Sequence, residues 1–241
     1  MLISTQEELA FAPEYPELAG KRVLITGVCG PLGVEIVRAF AEAQVRVVVQ
    51  TNEDSRDMQT LAEIIAPEAM DVHFFPGPLE GADAMLKFAR EAVQKFGGLD
   101  CVINIATVPE PSGNATEADI EAMVTDILSM SVLATQVVAN RMRTMLSGGS
   151  ILNVLTVPAK ASGSRKLIGR IARNALAHFT RNEAEKAEHD GIHVNAVVPA
   201  ALPDKSGQVL MGTVDVATLA LHLSSGREDA LSGLVFEAWC G

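Results

Sequence analysis

Short apolar runs alternate with helix-length segments along the chain, and this alternation restricts the fold more than any other feature. The first run, Val23 to Ile25, ends in a glycine-rich turn, and Leu32 to Ala43 then carries helical periodicity before a second run at Val45 to Val49. Further runs follow at Val72 to Phe75, Cys101 to Ile105, Ile151 to Leu155, Ile192 to Val198 and Leu234 to Phe236. Strands separated by helices at this spacing build a parallel sheet with right-handed crossovers and helices on both faces. The side chains agree: hydrophobic residues make up 48% of the chain and aromatics only 4%, so aliphatic groups and alanine must fill the core, as parallel sheets require. A length of 241 residues fits one such domain.

Residues 1–20 mix acids, prolines and scattered apolar side chains without a period, so they read as an N-terminal arm before a domain at 21–241. That arm is either a solvated tail or a segment in which Leu9, Phe11 and Tyr15 dock on a neighbour. The net charge of −11 would repel phosphate backbones, which argues against nucleic acid as a partner. Cys29, Cys101 and Cys240 form neither a C-x-x-C pair nor a disulfide framework, so they read as buried thiols in a reducing compartment. No basic leader and no uninterrupted apolar span of bilayer length is visible, which makes a soluble, cytoplasmic protein the expectation.

The turn Thr26-Gly27-Val28-Cys29-Gly30-Pro31-Leu32-Gly33 resembles the T-G-x-x-x-G-x-G turn of the short-chain dehydrogenase/reductase family. Further family-like stretches follow in order, from Leu99 to Ala106, Gly149 to Val154, Gly191 to Pro199 and the S-G-L-V-F run before Gly241. The resemblance covers residues 18–241 and implies a Rossmann-like, doubly wound α/β fold of about seven strands. It also implies NAD(P) at the C-terminal edge of the sheet.

The positions that would hold the cofactor depart from the family pattern. The middle glycine of the turn falls on Pro31, which suits the first turn of a helix but removes an N–H donor and places a ring where a pyrophosphate approaches. Thr51, flanked by Gln50 and Asn52, stands where the family carries an acid for NAD or a base for NADP. The resemblance places Pro78 at the acid beside the adenine, Asn104-Ile105-Ala106-Thr107 at the N-N-A-G turn, and Pro199-Ala200 at a P-G pair. Gly27, Gly30 and Gly33 also suit a variant T-G-x-x-G-x-x-G turn, which leaves nucleotide binding open.

Catalysis in the family uses a tyrosine as proton donor, a lysine one turn later, a substrate-orienting serine and an asparagine. By the resemblance these four roles fall on Gly169, Arg173, Thr156 and Ile127. The single tyrosine, Tyr15, precedes the expected domain, so no phenol is expected in the folded body. The loop from Pro199 to Asp215 is short for a lid over substrate. The five histidines show no metal-ligand spacing and no metal is expected, while Cys29, near a helix N-terminus, is a minor candidate for a reactive thiol.

The leading expectation is therefore a noncatalytic subunit with no cofactor of its own. It would pair in a hetero-oligomer with a related catalytic short-chain dehydrogenase that carries NAD, as in heteromeric hydroxyacyl-CoA dehydrogenases. The helix expected over about Glu117 to Leu146, the helix carrying Leu167, Ile168, Ile171, Leu176 and Phe179, and Trp239 are the candidate contacts. Two alternatives stand beside it: an NAD(P)-sensing binding module, and an active NAD(P)-dependent oxidoreductase that uses Thr156 and a water.

Overall fold

The computed structural model describes residues 14–51, 56–79, 81–158, 160–200, 213–227 and 231–238. Seven parallel strands form one sheet in the order β3-β2-β1-β4-β5-β6-β7. They are β1 (Arg22–Val28), β2 (Arg46–Thr51), β3 (Asp71–Pro76), β4 (Cys101–Thr107), β5 (Gly149–Thr156), β6 (Ile192–Pro199) and β7 (Val235–Ala238). The helices between them are α1 (Gly30–Glu42), α2 (Arg56–Ile65), α3 (Gly81–Lys95), α4 (Glu117–Met145), α5 (Gly163–Ala187) and α6 (Thr213–Ser225).

Successive strand residues point to opposite faces, and the chain uses both. Val23 and Ile25 pack with Phe40 of α1, Ile65 of α2 and Ala220 of α6 on one face. Leu24, Val102 and Ile151 pack with Phe88 of α3 and Val138 of α4 on the other. A third cluster, beneath the C-terminal ends of β4, β5 and β6, joins Val108, Ile127, Leu155, Ile168 and Ala172. The expected α/β class and its strands are thus present, each strand ending one to three residues beyond the expected run and those at Val45 and Leu234 beginning one residue later.

Two expectations need correction. Residues 14–20 do not precede the fold: Tyr15 is 6% exposed and Leu18 fully buried, both within the α1 and α6 core cluster. A short 3-10 turn at Pro16–Leu18 turns these side chains inward, and the Arg227 guanidinium lies 4.7 Å from the Tyr15 ring centre. The phenol therefore does belong to the folded body, although it sits by the start of β1, at the edge of the sheet opposite the C-terminal strand ends. In addition, α4 is by length and composition apolar enough to cross a bilayer. It instead lies along the sheet with Ile127, Ala134, Val138 and Met142 in the core.

Candidate functional site

In a doubly wound sheet the ligand crevice opens where the chain reverses its winding, here between the C-terminal ends of β1 and β4. The glycines of the first turn have packing reasons of their own. Gly27 adopts φ +69°, and a Cβ there would lie 1.9 Å from the Ile105 carbonyl oxygen of β4, so only glycine lets β1 and β4 approach. A Cβ on Gly33 would sit 3.1 Å from Val28 Cγ1, where α1 crosses its own strand. Gly30 opens α1 in the left-handed region with open space around it, and Pro31 follows in the first helical turn.

Side chains of this chain occupy donors and space along the crevice. The Gly27 amide donates to Gln50 Oε1 at 2.7 Å, and Gln50 Nε2 in turn donates to the Gly77 carbonyl at 3.0 Å. Gln50 thereby ties the glycine-rich turn to the end of β3, while Thr51 beside it is buried at the end of β2. Cys29, the N-cap residue of α1, makes no capping bond. Its sulfur lies 3.2 Å from Thr107 Oγ1, and Thr107 Oγ1 lies 2.9 Å from Thr156 Oγ1, so one chain of polar contacts runs from α1 across β4 to β5. Asn104 points below this edge, accepting from the Thr26 hydroxyl at 3.1 Å and donating to Asn153 Oδ1 at 2.9 Å, a buried ladder that joins β1, β4 and β5.

Of the four positions that the resemblance assigns to catalysis, Ile127, Thr156 and Gly169 border one apolar cluster at the C-terminal end of β5. Thr156 ends β5 and is 8% exposed; Ile127 from α4 and Ala172 from α5 line the apolar cluster beneath it. Gly169 is buried on α5, and a Cβ there would lie 2.6 Å from Val157 Cγ2, so the valine fills the space from which a side chain at 169 would project. Arg173 turns away from that spot. Its Nε donates to the Pro199 carbonyl at 3.1 Å, and its guanidinium makes a close ion pair with Glu237 of β7. Arg173 thereby links α5, β6 and β7. Pro78 lines a cavity of about 240 Å³ together with Gln50, Phe75, Lys87, Phe88 and Glu91.

Among the described residues no three His, Cys, Asp or Glu side chains gather closely enough to hold a metal. Most of the short lid segment and Trp239 lie outside the described residues. Sequence reasoning did not single out Gln50, Val157 or the Cys29–Thr107 contact. Gln50 had one available signal, a buried polar residue inside an apolar strand; Val157 had none, because its role depends on a glycine twelve residues away on another element.

Comparison with known proteins agrees with this architecture. The short chain dehydrogenase family model matches residues 21–206. The chain is 30% identical over 215 residues to momilactone A synthase of Oryza sativa subsp. japonica, covering 88% of this chain and 77% of that one. It is 27% identical to a probable galactose dehydrogenase of Rhizobium meliloti, covering 78% and 74%. Among solved structures, a short chain dehydrogenase from Mycobacterium smegmatis superposes with a TM-score of 0.76 at 22% identity, covering 92% of each chain. A hydroxysteroid dehydrogenase from Escherichia coli gives 0.75 at 23% identity, covering 93% and 97%. This chain belongs to the short-chain dehydrogenase family. Its named relatives are dehydrogenases and other oxidoreductases.

Proposed function

We propose that this chain is a noncatalytic member of its family that pairs with an active, related dehydrogenase in a hetero-oligomer. The observation that carries the reading is the glycine at 169, with Val157 filling the space above it. A family dehydrogenase needs a proton donor at that place as hydride moves, and among the described residues the side-chain hydrogen-bond partner of the nearby Thr156 hydroxyl is Thr107, not an ammonium or a phenol. Ile127 places an apolar side chain where the resemblance puts the family's asparagine.

The residues present do not fit a dinucleotide in the family's manner. The Gly27 amide is engaged by Gln50, Pro31 offers no N–H in the first turn of α1, and the Cys29–Thr107–Thr156 contacts bridge the crevice. On this reading the chain carries no cofactor, and NAD sits on the partner subunit. The pair would act as a hydroxyacyl-CoA type dehydrogenase, of which hydroxybenzylsuccinyl-CoA dehydrogenase is an example, in the cytoplasm.

A second reading, an active oxidoreductase, draws on the unbroken hydroxyl pair Thr107–Thr156 at 2.9 Å, which could orient a substrate oxygen. Calorimetry separates the two. The purified chain is expected to release no heat with NAD or NADP at millimolar concentration and to oxidise no alcohol when assayed alone. Saturable binding of either nucleotide with turnover would refute the noncatalytic reading, and binding without turnover would point instead to a nucleotide sensor.

A further inference from the structure

Two of the apolar clusters lie on the same face of the sheet, and a layer of uncharged polar side chains separates them. Each element on this face changes character at the same level. In β4 the order is Val102, Asn104, Ala106, and in β5 it is Ile151, Asn153, Leu155. In α4 Thr135 and Ser131 stand between Val138 and Ile127, and in α5 Thr180 stands between Ala184 and Leu176. Val102, Ile151, Val138 and Ala184 belong to the lower cluster, while Ala106, Leu155, Ile127 and Leu176 belong to the one beneath the strand ends. Residues two apart on a strand, and three or four apart on a helix, share a face, so the five polar side chains converge where α4 and α5 cross β4 and β5. Each is at most 1% exposed.

Half of this layer is paired within itself. Asn104 Nδ2 donates to Asn153 Oδ1 at 2.9 Å, and the Thr135 hydroxyl donates to the same oxygen at 3.3 Å. The other half is not: among the described residues Asn153 Nδ2, Ser131 Oγ and Thr180 Oγ1 have no hydrogen-bond partner. The two hydroxyls also forgo the bond that other hydroxyls on α4 make. Thr125, Ser129 and Thr144 each donate to the carbonyl one turn back, at 2.9, 2.7 and 2.8 Å. Ser131 and Thr180 do not, which leaves them directed at the layer. A buried polar group without a partner is costly, so three from separate elements at one level define a site for a molecule that pairs with them all.

We propose that this layer binds one internal water molecule, which accepts from Asn153 Nδ2 and hydrogen-bonds the Ser131 and Thr180 hydroxyls. Three bonds are the usual complement of a buried water. The spacing suits it. Ser131 stands one helical turn, about 6 Å, from Thr135, which touches Asn153 Oδ1, and two hydrogen bonds through a water span a gap of that size. A metal ion is a poor match, because the layer holds no charged side chain and the free amide N–H groups are donors. The apolar clusters above and below shut out anything larger. The water fastens α4 and α5 to β5 below the crevice, and its binding does not depend on whether the chain is catalytic.

A high-resolution crystal structure of the full chain, with urea unfolding of Ser131→Ala, Thr180→Val and the double variant, tests the site. The expected electron density is a single water peak within hydrogen-bonding distance of Asn153 Nδ2 and of both hydroxyls. The variants make opposite predictions with and without the water. If the hydroxyls are unpaired, removing them is neutral or stabilising, and alanine is the better helix former at 131. If they hold a water, each single variant is expected to lower the folding equilibrium constant about fivefold. The double variant should then lose less than the two together, because both act on the same molecule. The proposal is overturned if the density shows the three groups bonded directly to one another, if either single variant unfolds at or above the wild-type urea midpoint, or if the two losses simply add. Should a variant fail to fold, the wild-type density decides alone: no peak at the site rejects the water.

Discussion

At the scale of single residues, Gly169 and Val157 act as one packing unit. A side chain at 169 needs the volume that the valine holds, since its Cβ alone would approach Val157 Cγ2 to 2.6 Å. Gly169→Tyr is therefore expected to destabilise the protein by about 1–3 kcal/mol through overpacking. Val157→Ala in the same chain should return most of that loss. Urea unfolding of the two variants measures both effects, and a G169Y protein as stable as wild type would show that Val157 does not fill the space. The roles of Gly169 and Arg173 could be assigned from the resemblance, because both lie one turn apart on the same helix. Their contacts could not, since Val157, Glu237 and Pro199 arrive from other elements.

At the scale of elements, the sheet is fastened at its N-terminal edge by an ion pair between β1 and the residue that precedes β4. Arg22 donates from Nε to Asp100 Oδ2 at 2.9 Å and from its terminal nitrogen to Oδ1 at 2.5 Å, and the Arg22 backbone N–H adds a third bond at 2.8 Å. Burial acts to raise the Asp100 pKa, but the Arg22 side-chain and backbone bonds outweigh it and hold the carboxyl below its ordinary value. A carboxylate depressed in the folded state stabilises fully above its unfolded pKa and loses that contribution as pH falls through the folded one. Asp100→Asn should thus cost about 1–2 kcal/mol at neutral pH and flatten the decline of stability on the acid side. Thermal melts from neutral pH down to the carboxylate range test this; an unchanged acid limb would refute it. The elements themselves were legible because aliphatic runs and 3.6-residue periodicity persist along each segment. Their ends were less so, as strands such as β4 extend through Thr107 by pairing with neighbours distant in sequence.

At the scale of the molecule, the segment before β1 closes the α1 and α6 side of the core. Tyr15 is buried there with Leu18, and Arg227 holds the segment from above by its contact with the ring and its ion pair with Glu17. Tyr15→Ala should cost about 3 kcal/mol by leaving a cavity. Guanidinium unfolding that gave the wild-type midpoint would show that the segment contributes nothing. Local composition around Tyr15 signals neither helix nor strand, so its burial is decided by the hollow that α1 and α6 leave for it.

The order of strands and helices along the chain follows from the sequence alone, because hydrophobic periodicity and glycine placement act over a few residues, while the winding of the sheet and the positions facing the crevice were implied by the family resemblance. Which groups meet at that crevice was decided only by the tertiary structure. Gln50 reaches Gly27, Cys29 reaches Thr107 and Val157 reaches Gly169 because separate strands and helices converge there. Contacts of that kind depend on the three-dimensional placement of whole elements, which no local pattern records.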